Sequence, residues 1–318
     1  MPVTLAQAKL NVQDDLQLGI IDEFAKNNFL LDHLTFDDCV SPTGGGATMT
    51  YAYTRLITQP NADFREVNSE YTPSEVDKQR FSVDLKIFGG TYEIDRVIAH
   101  MGGIVSEVYL QSTQKVKATC ALFNDTVVNG DSAVNAKTFD GLDKALAGSD
   151  TEFNTSAAID LSTSANVDTN YKKFIDMLDE FLISLDGQPS ALMGNTKMVA
   201  ILRAIARRAG QYQTTTDGWG HNVSSYGGIP IIDLGAKAGT NDPVVDTNST
   251  SGETSLYAVR LGIDGFHAIS AAGQAPIRTW APDFTTSGAV KKGEVEMLAA
   301  VALKATKAAG VFRKIKVK

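Results

Sequence analysis

The chain has 318 residues, 43 % hydrophobic, 21 % charged and 8 % aromatic, with a formal net charge of −8. That balance supplies core for one large or two ordinary domains, and it excludes both a disordered chain and a protein that grips nucleic acid over its whole surface. Cys39 and Cys120 form no CxxC, the N-terminus lacks the basic-then-apolar order of a signal peptide and no run is long enough to span a membrane, so a reducing cytoplasm fits and no membrane or disulfide framework is expected.

Residues 1–45 read as an N-terminal arm. Leu16, Ile20 and Phe24 recur at helical spacing, which predicts a short helix; NNFLLDHLTFDDCV after it reads as extended or strand. The glycines of Ser41-Pro42-Thr43-Gly44-Gly45-Gly46 are followed by no Lys-Ser/Thr, so they predict a flexible joint rather than a phosphate cradle.

Two stretches of period two follow. In ATMTYAYTRLI, Met49, Tyr51 and Tyr53 oppose Thr48, Thr50 and Thr54; in QRFSVDLKIF, Phe81, Val83, Leu85 and Ile87 oppose Arg80, Ser82, Asp84 and Lys86. This alternation predicts paired strands. The connection TQPNADFREVNSEYTPSEVDK is long, polar and mixed in charge. Compact domains seldom keep such a loop without a use, and an isolated hairpin is marginal in water. The hairpin either packs on its own sheet or reaches over a second subunit; spacing alone leaves both open. Its charged residues Arg55, Arg65, Glu66, Glu70, Glu75 and Lys78 are the candidate intersubunit contacts.

From Thr91 to Asp131, apolar residues at Ile94, Val97, Ile98, Met101, Ile104, Val105 and Val108 fall mostly three or four apart, with Leu122 and Phe123 farther on. A long amphipathic helix is predicted, capped by Thr91, roughly 55 Å long if continuous, and ended by Asn129-Gly130-Asp131. Gly102-Gly103 predicts a bend.

Beyond it, Asp140-Gly141 predicts a turn and 149–170 a Ser/Thr-rich loop. A helix is expected over YKKFIDMLDEFLISL, a short buried strand at Ala191-Leu192-Met193 and a second helix over Thr196–Ala209. QYQTTTDGWGHNVSSYGG reads as a loop, and IPIIDL, SLYAVRLG and GFHAIS as strands. Helices alternating with short apolar strands suggest an α/β unit over 146–265. In the tail, EVEMLAAVALKATKAAG fits helix or strand, and VFRKIKVK alternates as a strand. No tandem repeat is found.

The chemistry of an enzyme is not apparent. His33, His100, His221 and His267 lie in different segments, none in HExxH or HxH. There is no GxSxG, no Walker lysine and no GxGxxG after a strand, so no cofactor, metal or catalytic residue is expected. Arg203, Arg207 and Arg208 read as a solvated helix face, and the Asn-x-Ser/Thr sequons at Asn154, Asn222 and Asn248 as chance.

The order of these parts resembles the tailed-phage major capsid proteins of the Hong Kong 97-like fold. GIIDEFAKNNFLLDHL in the arm, MTYAYTRL and DFREVNSEYTPSEVDKQRFSVDLKIFGG in the hairpin, and EIDRVIAHMGGIVSEVYLQSTQKVKATCALFNDTVVNGD in the helix carry the resemblance. TFDGL, ALMGNTKMVAILRAI, YGGIPII and YAVRLGIDGF extend it over nearly the whole chain. Each motif alone is mostly apolar pattern; their order is what is specific.

The resemblance implies an α+β fold with an N-terminal arm (1–46), an extended E-loop hairpin (47–90), a P domain with a long spine helix (91–145 and 266–318) and an axial A domain (146–265). It implies strand for the ambiguous 294–307 stretch. It further implies a non-enzymatic shell protein, self-associating as pentamers and hexamers into an icosahedral head around double-stranded DNA, within a virion assembled in the bacterial cytoplasm. A portal is an implied partner, and because the arm starts almost at Met1, a separate scaffolding protein, or none, is implied as well. Some such shells weld a hairpin lysine to a neighbour's Asn with a glutamate as base. Lys78, Glu294 and Glu296 are available here, but 285–318 holds no Asn, so a non-covalent shell is expected. The alternatives are an encapsulin-type nanocompartment shell, which shares the fold, and an α/β enzyme.

Overall fold

The computed structural model describes residues 29–41, 48–100, 106–210, 213–216, 222–273 and 275–318. The expected arm helix around Leu16–Phe24, the glycine joint at 42–46 and the bend at Gly102-Gly103 lie outside them.

The first described residues form helix α1 (Phe29–His33) and then strand β1 (Phe36–Val40). The helix departs from the extended segment expected here. Its cause is the pair Leu30 and Leu34, one turn apart, both buried in the core. Strand β1 lies parallel to β12 (Phe266–Ala271), with Phe36 opposite Ala268.

Strands β2 (Thr50–Leu56) and β3 (Lys78–Asp84) pair in antiparallel register from Thr50↔Asp84 to Leu56↔Lys78, as their alternation predicts. They form a two-stranded ribbon that joins neither of the larger sheets. Strand β4 (Lys86–Asp95) then occupies the first turns of the expected long helix. Tyr92 and Ile94 alternate inward, and the strand pairs with β14 (Val290–Leu303) from Lys86↔Ala299 to Asp95↔Val290. That ladder, formed with residues some 200 positions away, overrides the helical spacing. Gly89 permits it: at φ 156° the strands come so close that a Cβ would stand 2.0 Å from the Val295 carbonyl oxygen.

Helix therefore starts later than the sequence predicts, in α2 (Arg96–His100), and again in α3 (Glu107–Asn129), 23 residues and roughly 35 Å long. Only the second half of α3 is deeply buried. Phe123, Val127 and Val128 have no exposed surface, and Phe36, Phe88 and Phe139 surround Phe123 at ring distances of 6.1–6.2 Å. The helix lies on a five-stranded sheet ordered β1-β12-β14-β13, with β13 at Ile277–Trp280 and β4 also on β14. The ambiguous 294–307 stretch is thus mostly strand.

After Gly141 caps a short α4 (Leu142–Leu146), a second sheet begins. Its order is β5-β15-β11-β7-β10-β9-β8, with β6 also on β15. Strands β5 (Glu152–Phe153) and β6 (Ile159–Asp160) interrupt the expected 149–170 loop. Helix α5 (Ser164–Ile183) starts earlier than its apolar stripe because Thr163 caps it, accepting from the Asn166 amide at 3.2 Å. Strand β7 (Ala191–Gly194), helix α6 (Thr196–Arg208), β10 (Ile229–Asp233) and β11 (Glu253–Val259) fall where expected.

Two placements differ. The expected loop at 211–228 contains a strand pair, β8 (Gln213–Thr216) and β9 (Asn222–Tyr226), in register from Gln213↔Ser225 to Thr216↔Asn222. The last strand, β15 (Ala309–Lys316), joins this second sheet beside β11, whereas the resemblance groups the whole 266–318 tail with the first. Phe312 on β15 seats against Phe174 and Phe181 of α5 at 5.7 and 6.0 Å, and that aromatic core draws the strand here. Arg313 bridges back, donating to Asp143 at 2.7 Å and to Glu152.

Candidate assembly interface

Among the described residues, the hydrogen bonds that hold the ribbon to the body lie at its root. Tyr51 is buried and its hydroxyl donates to Asp37 Oδ2 on β1 at 2.9 Å. The Tyr53 hydroxyl donates to the Leu303 carbonyl at 3.0 Å. Arg55 Nε donates to the Lys304 carbonyl at 2.6 Å, and its Nη2 donates to the Leu303 carbonyl. The Arg55 guanidinium lies 4.3 Å from the Phe81 ring centroid across the ribbon. Burial pushes Asp37 up, but hydrogen bonds from Cys39 and Tyr51 and the nearby Lys304 charge outweigh it and hold the carboxyl below 3.8. Burial, then the hydrogen bond to Asp37, pushes the Tyr51 phenol up, so it stays a donor.

The tip is the opposite case. Residues 57–77 leave the ribbon after one more backbone bond, from the Ile57 amide to the Asp77 carbonyl at 2.8 Å. They fold on themselves. Asn68 turns at φ 70°, the Ser69 amide donates to the Glu66 carbonyl at 3.2 Å, and Ser74 Oγ donates to the Asn61 carbonyl at 3.2 Å. Phe64 and Val67 are 107 % and 89 % exposed, and Leu56, Ile57, Tyr71 and Val76 are exposed with them. Such a cluster on one projecting element is unusual for a free surface, since burying each side chain would gain about 1.5–3 kcal/mol. Asp63, Glu66, Glu70, Glu75 and Asp77 outnumber Arg65 and Lys78 around it.

The six candidate contacts therefore divide. Arg55 is engaged within its own chain, at the root. Arg65, Glu66, Glu70 and Glu75 sit on the exposed tip, where Arg65 donates to the Ser69 carbonyl at 3.2 Å and lies 5.4 Å from the Tyr71 ring. Lys78 opens β3 at the mouth and is exposed. Sequence reasoning singled out the charges and passed over the exposed Phe64, Val67 and Tyr71. Their signal was present: three large apolar residues in a segment with no strand or helix period.

Other chemistry is sparse. Among the described residues no three His, Cys, Asp or Glu side chains are placed to hold a metal ion, and no helix is long and apolar enough to cross a membrane. A cavity of about 840 Å3 opens at the carboxyl ends of β7 and β10. Lys237 and Asp246 in its wall are ion-paired at 2.9 Å, and its lining includes neither histidine nor cysteine.

No protein-family model matches this sequence, and no curated protein sequence matches it. Solved structures match it from end to end. A chain of the holo-SrpI encapsulin complex from Synechococcus elongatus overlays at a TM-score of 0.69 and 12 % identity, covering 99 % of this chain and 97 % of that one. The capsid of the native GTA particle gives 0.64 at 9 % identity, with 98 % and 97 % covered. The capsid of Myoviridae phage XM1 gives 0.59 at 11 % identity, with 99 % of each covered. At these identities the likeness is one of fold. The chain has the Hong Kong 97-like fold of phage capsids and encapsulins.

Proposed function

We propose that this chain is the major capsid protein of a tailed-phage-type head. Many copies form pentamers and hexamers that close into an icosahedral shell around double-stranded DNA, which they enclose without reading its sequence. The role is structural rather than catalytic. In this frame the 50–84 ribbon and its tip are the E-loop, α3 is the spine helix, the first sheet is the P domain, and the second sheet with α5 and α6 is the A domain.

The observation that carries this reading is the tip: it leaves Phe64, Val67 and Tyr71 exposed among the described residues. A ribbon rooted on one subunit and apolar at its far end suits a heterologous contact, the kind that closes rings. Toward the opening end of β14, Val97, Ile98, Trp280 and Val290 are exposed, and Lys292 is ion-paired with Glu93 at 3.1 Å. In this reading these exposed apolar residues receive the apolar tip of a second copy. A scaffolding protein and a portal are the other expected partners.

The test is expression of the full chain, with and without a scaffolding protein, followed by electron microscopy. Closed icosahedral particles are expected. A strictly monomeric species in every condition, scaffold included, would overturn the proposal. The overlay on an encapsulin favours a second reading, a nanocompartment shell around a protein cargo. Particle contents separate the two: nuclease-protected double-stranded DNA for the head, folded protein for the compartment.

A further inference from the structure

The ribbon root encloses a buried imidazole that shell building does not use. His267 on β12 has no exposed surface, and neither ring nitrogen has a hydrogen-bond partner. Its strand neighbours Phe266, Ala268 and Ile269 are apolar and buried, so an aliphatic residue would suit the position without the cost of an unpaired polar group.

The groups facing His267 all belong to the root. From β1, Asp37 Oδ2 stands 3.8 Å from Nε2, and the Cys39 amide donates to the other Asp37 oxygen at 3.2 Å. From β2, Tyr51 sets its ring edge-on at 5.7 Å while donating to the same Oδ2, and Tyr53 lies 6.0 Å beyond Tyr51. From the chain just after β14, Lys304 Nζ lies 3.8 Å from that oxygen and 5.4 Å from the Tyr51 ring. The Gly265 backbone is near enough to favour a cation weakly, without hydrogen-bond geometry. One carboxylate thus already serves a phenol and an ammonium. A proton on His267 would add a second cation near Lys304 on a ring with no exposed surface.

We propose that protonation of His267 unlatches the ribbon, so that mild acid frees the 48–85 segment from the body while both sheets stay folded. This goes beyond shell assembly and is measured on the single chain. Burial first, then the Lys304 charge, disfavour the imidazolium; Asp37 offsets them only in part, so His267 is held below 6.5. The open root, with the ring hydrated, binds the proton more readily. Stability of the closed root is therefore fully present above 6.5 and is lost as pH falls below it, by up to about tenfold in the opening constant per pH unit. Asp37 acts in the same direction but only below 3.8, a separate window.

The experiment is hydrogen exchange of residues 50–56 and 78–84 in the unassembled full chain from pH 7.5 to 4.5, corrected for intrinsic rates, with β7 and β11 as internal references. Wild type should lose protection in the ribbon below about 6.5 while the references hold. His267→Gln should remove that step. Tyr51→Phe should lower ribbon protection at every pH and keep the step. A flat wild-type profile, or a wild-type step confined to the acid end near 4.5, overturns the proposal even if His267→Gln fails to fold. A step that persists unchanged in His267→Gln overturns it as well.

Discussion

At the scale of single residues, the root of the ribbon depends on contacts that the sequence separates widely. Arg55 reaches the carbonyls of Leu303 and Lys304, about 250 positions along the chain. Hydrogen bonds from a charged donor are worth about 1.5–3 kcal/mol, reduced here because the side chain is part-exposed. Arg55→Ala should therefore destabilise the unassembled chain by roughly 1–2 kcal/mol in urea titration. Loss of assembly with unchanged stability would instead assign Arg55 to a neighbouring subunit. Gly89 poses a sharper constraint. Gly89→Ala sets a methyl against the Val295 carbonyl at a backbone angle that L-residues avoid. The β4–β14 ladder should open locally, at a cost of about 1–3 kcal/mol or more in the same titration.

At the scale of elements, the ribbon and its tip separate into two functions. The root shares the body's core through Tyr51 and Leu85; among the described residues, no side chain of the tip joins that core. Replacing residues 58–76 by a two-residue Asn-Gly turn leaves Ile57 opposite Asp77, so both strands, their register and every root contact are kept. The melting temperature of the unassembled chain should stay within a degree or two, because exposed residues away from special features change stability by only about 0.5 kcal/mol. Particles should not form. A collapse of the melting temperature would place the tip in its own subunit's core. Phe64→Asp is the milder version: stability unchanged, and assembly weakened in sedimentation because a charge then enters the apolar contact.

For the whole molecule, the expectation is a shell held without covalent links. Lys78 is exposed at the mouth of the ribbon, and Glu294 and Glu296 lie on the exposed face of β14. No Asn stands between 285 and 318 to accept the amine. Particles boiled in detergent should therefore run as one band near 34.0 kDa. A ladder of oligomers would point to an electrophile elsewhere in the chain.

The sequence by itself determined what is local. Alternation at Met49, Tyr51 and Tyr53 against Phe81 and Val83 marked the ribbon, and apolar spacing marked α5 and α6, because these faces are set by neighbours within one or two turns or across one hairpin. The order of such segments was enough to bring out the resemblance to a shell fold. Only the tertiary structure decided the rest. Tyr92 and Ile94 suit a helix stripe and a strand face equally, and β14, distant in the chain, makes them strand. VFRKIKVK alternates whichever sheet receives it; the aromatic pocket of Phe174 and Phe181 assigns it to the second. The division of Arg55 from the tip charges was equally invisible, since periodicity carries no information about carbonyls 250 residues away. Local periodicity fixes which face of an element is apolar; which partner covers that face is set by long-range packing.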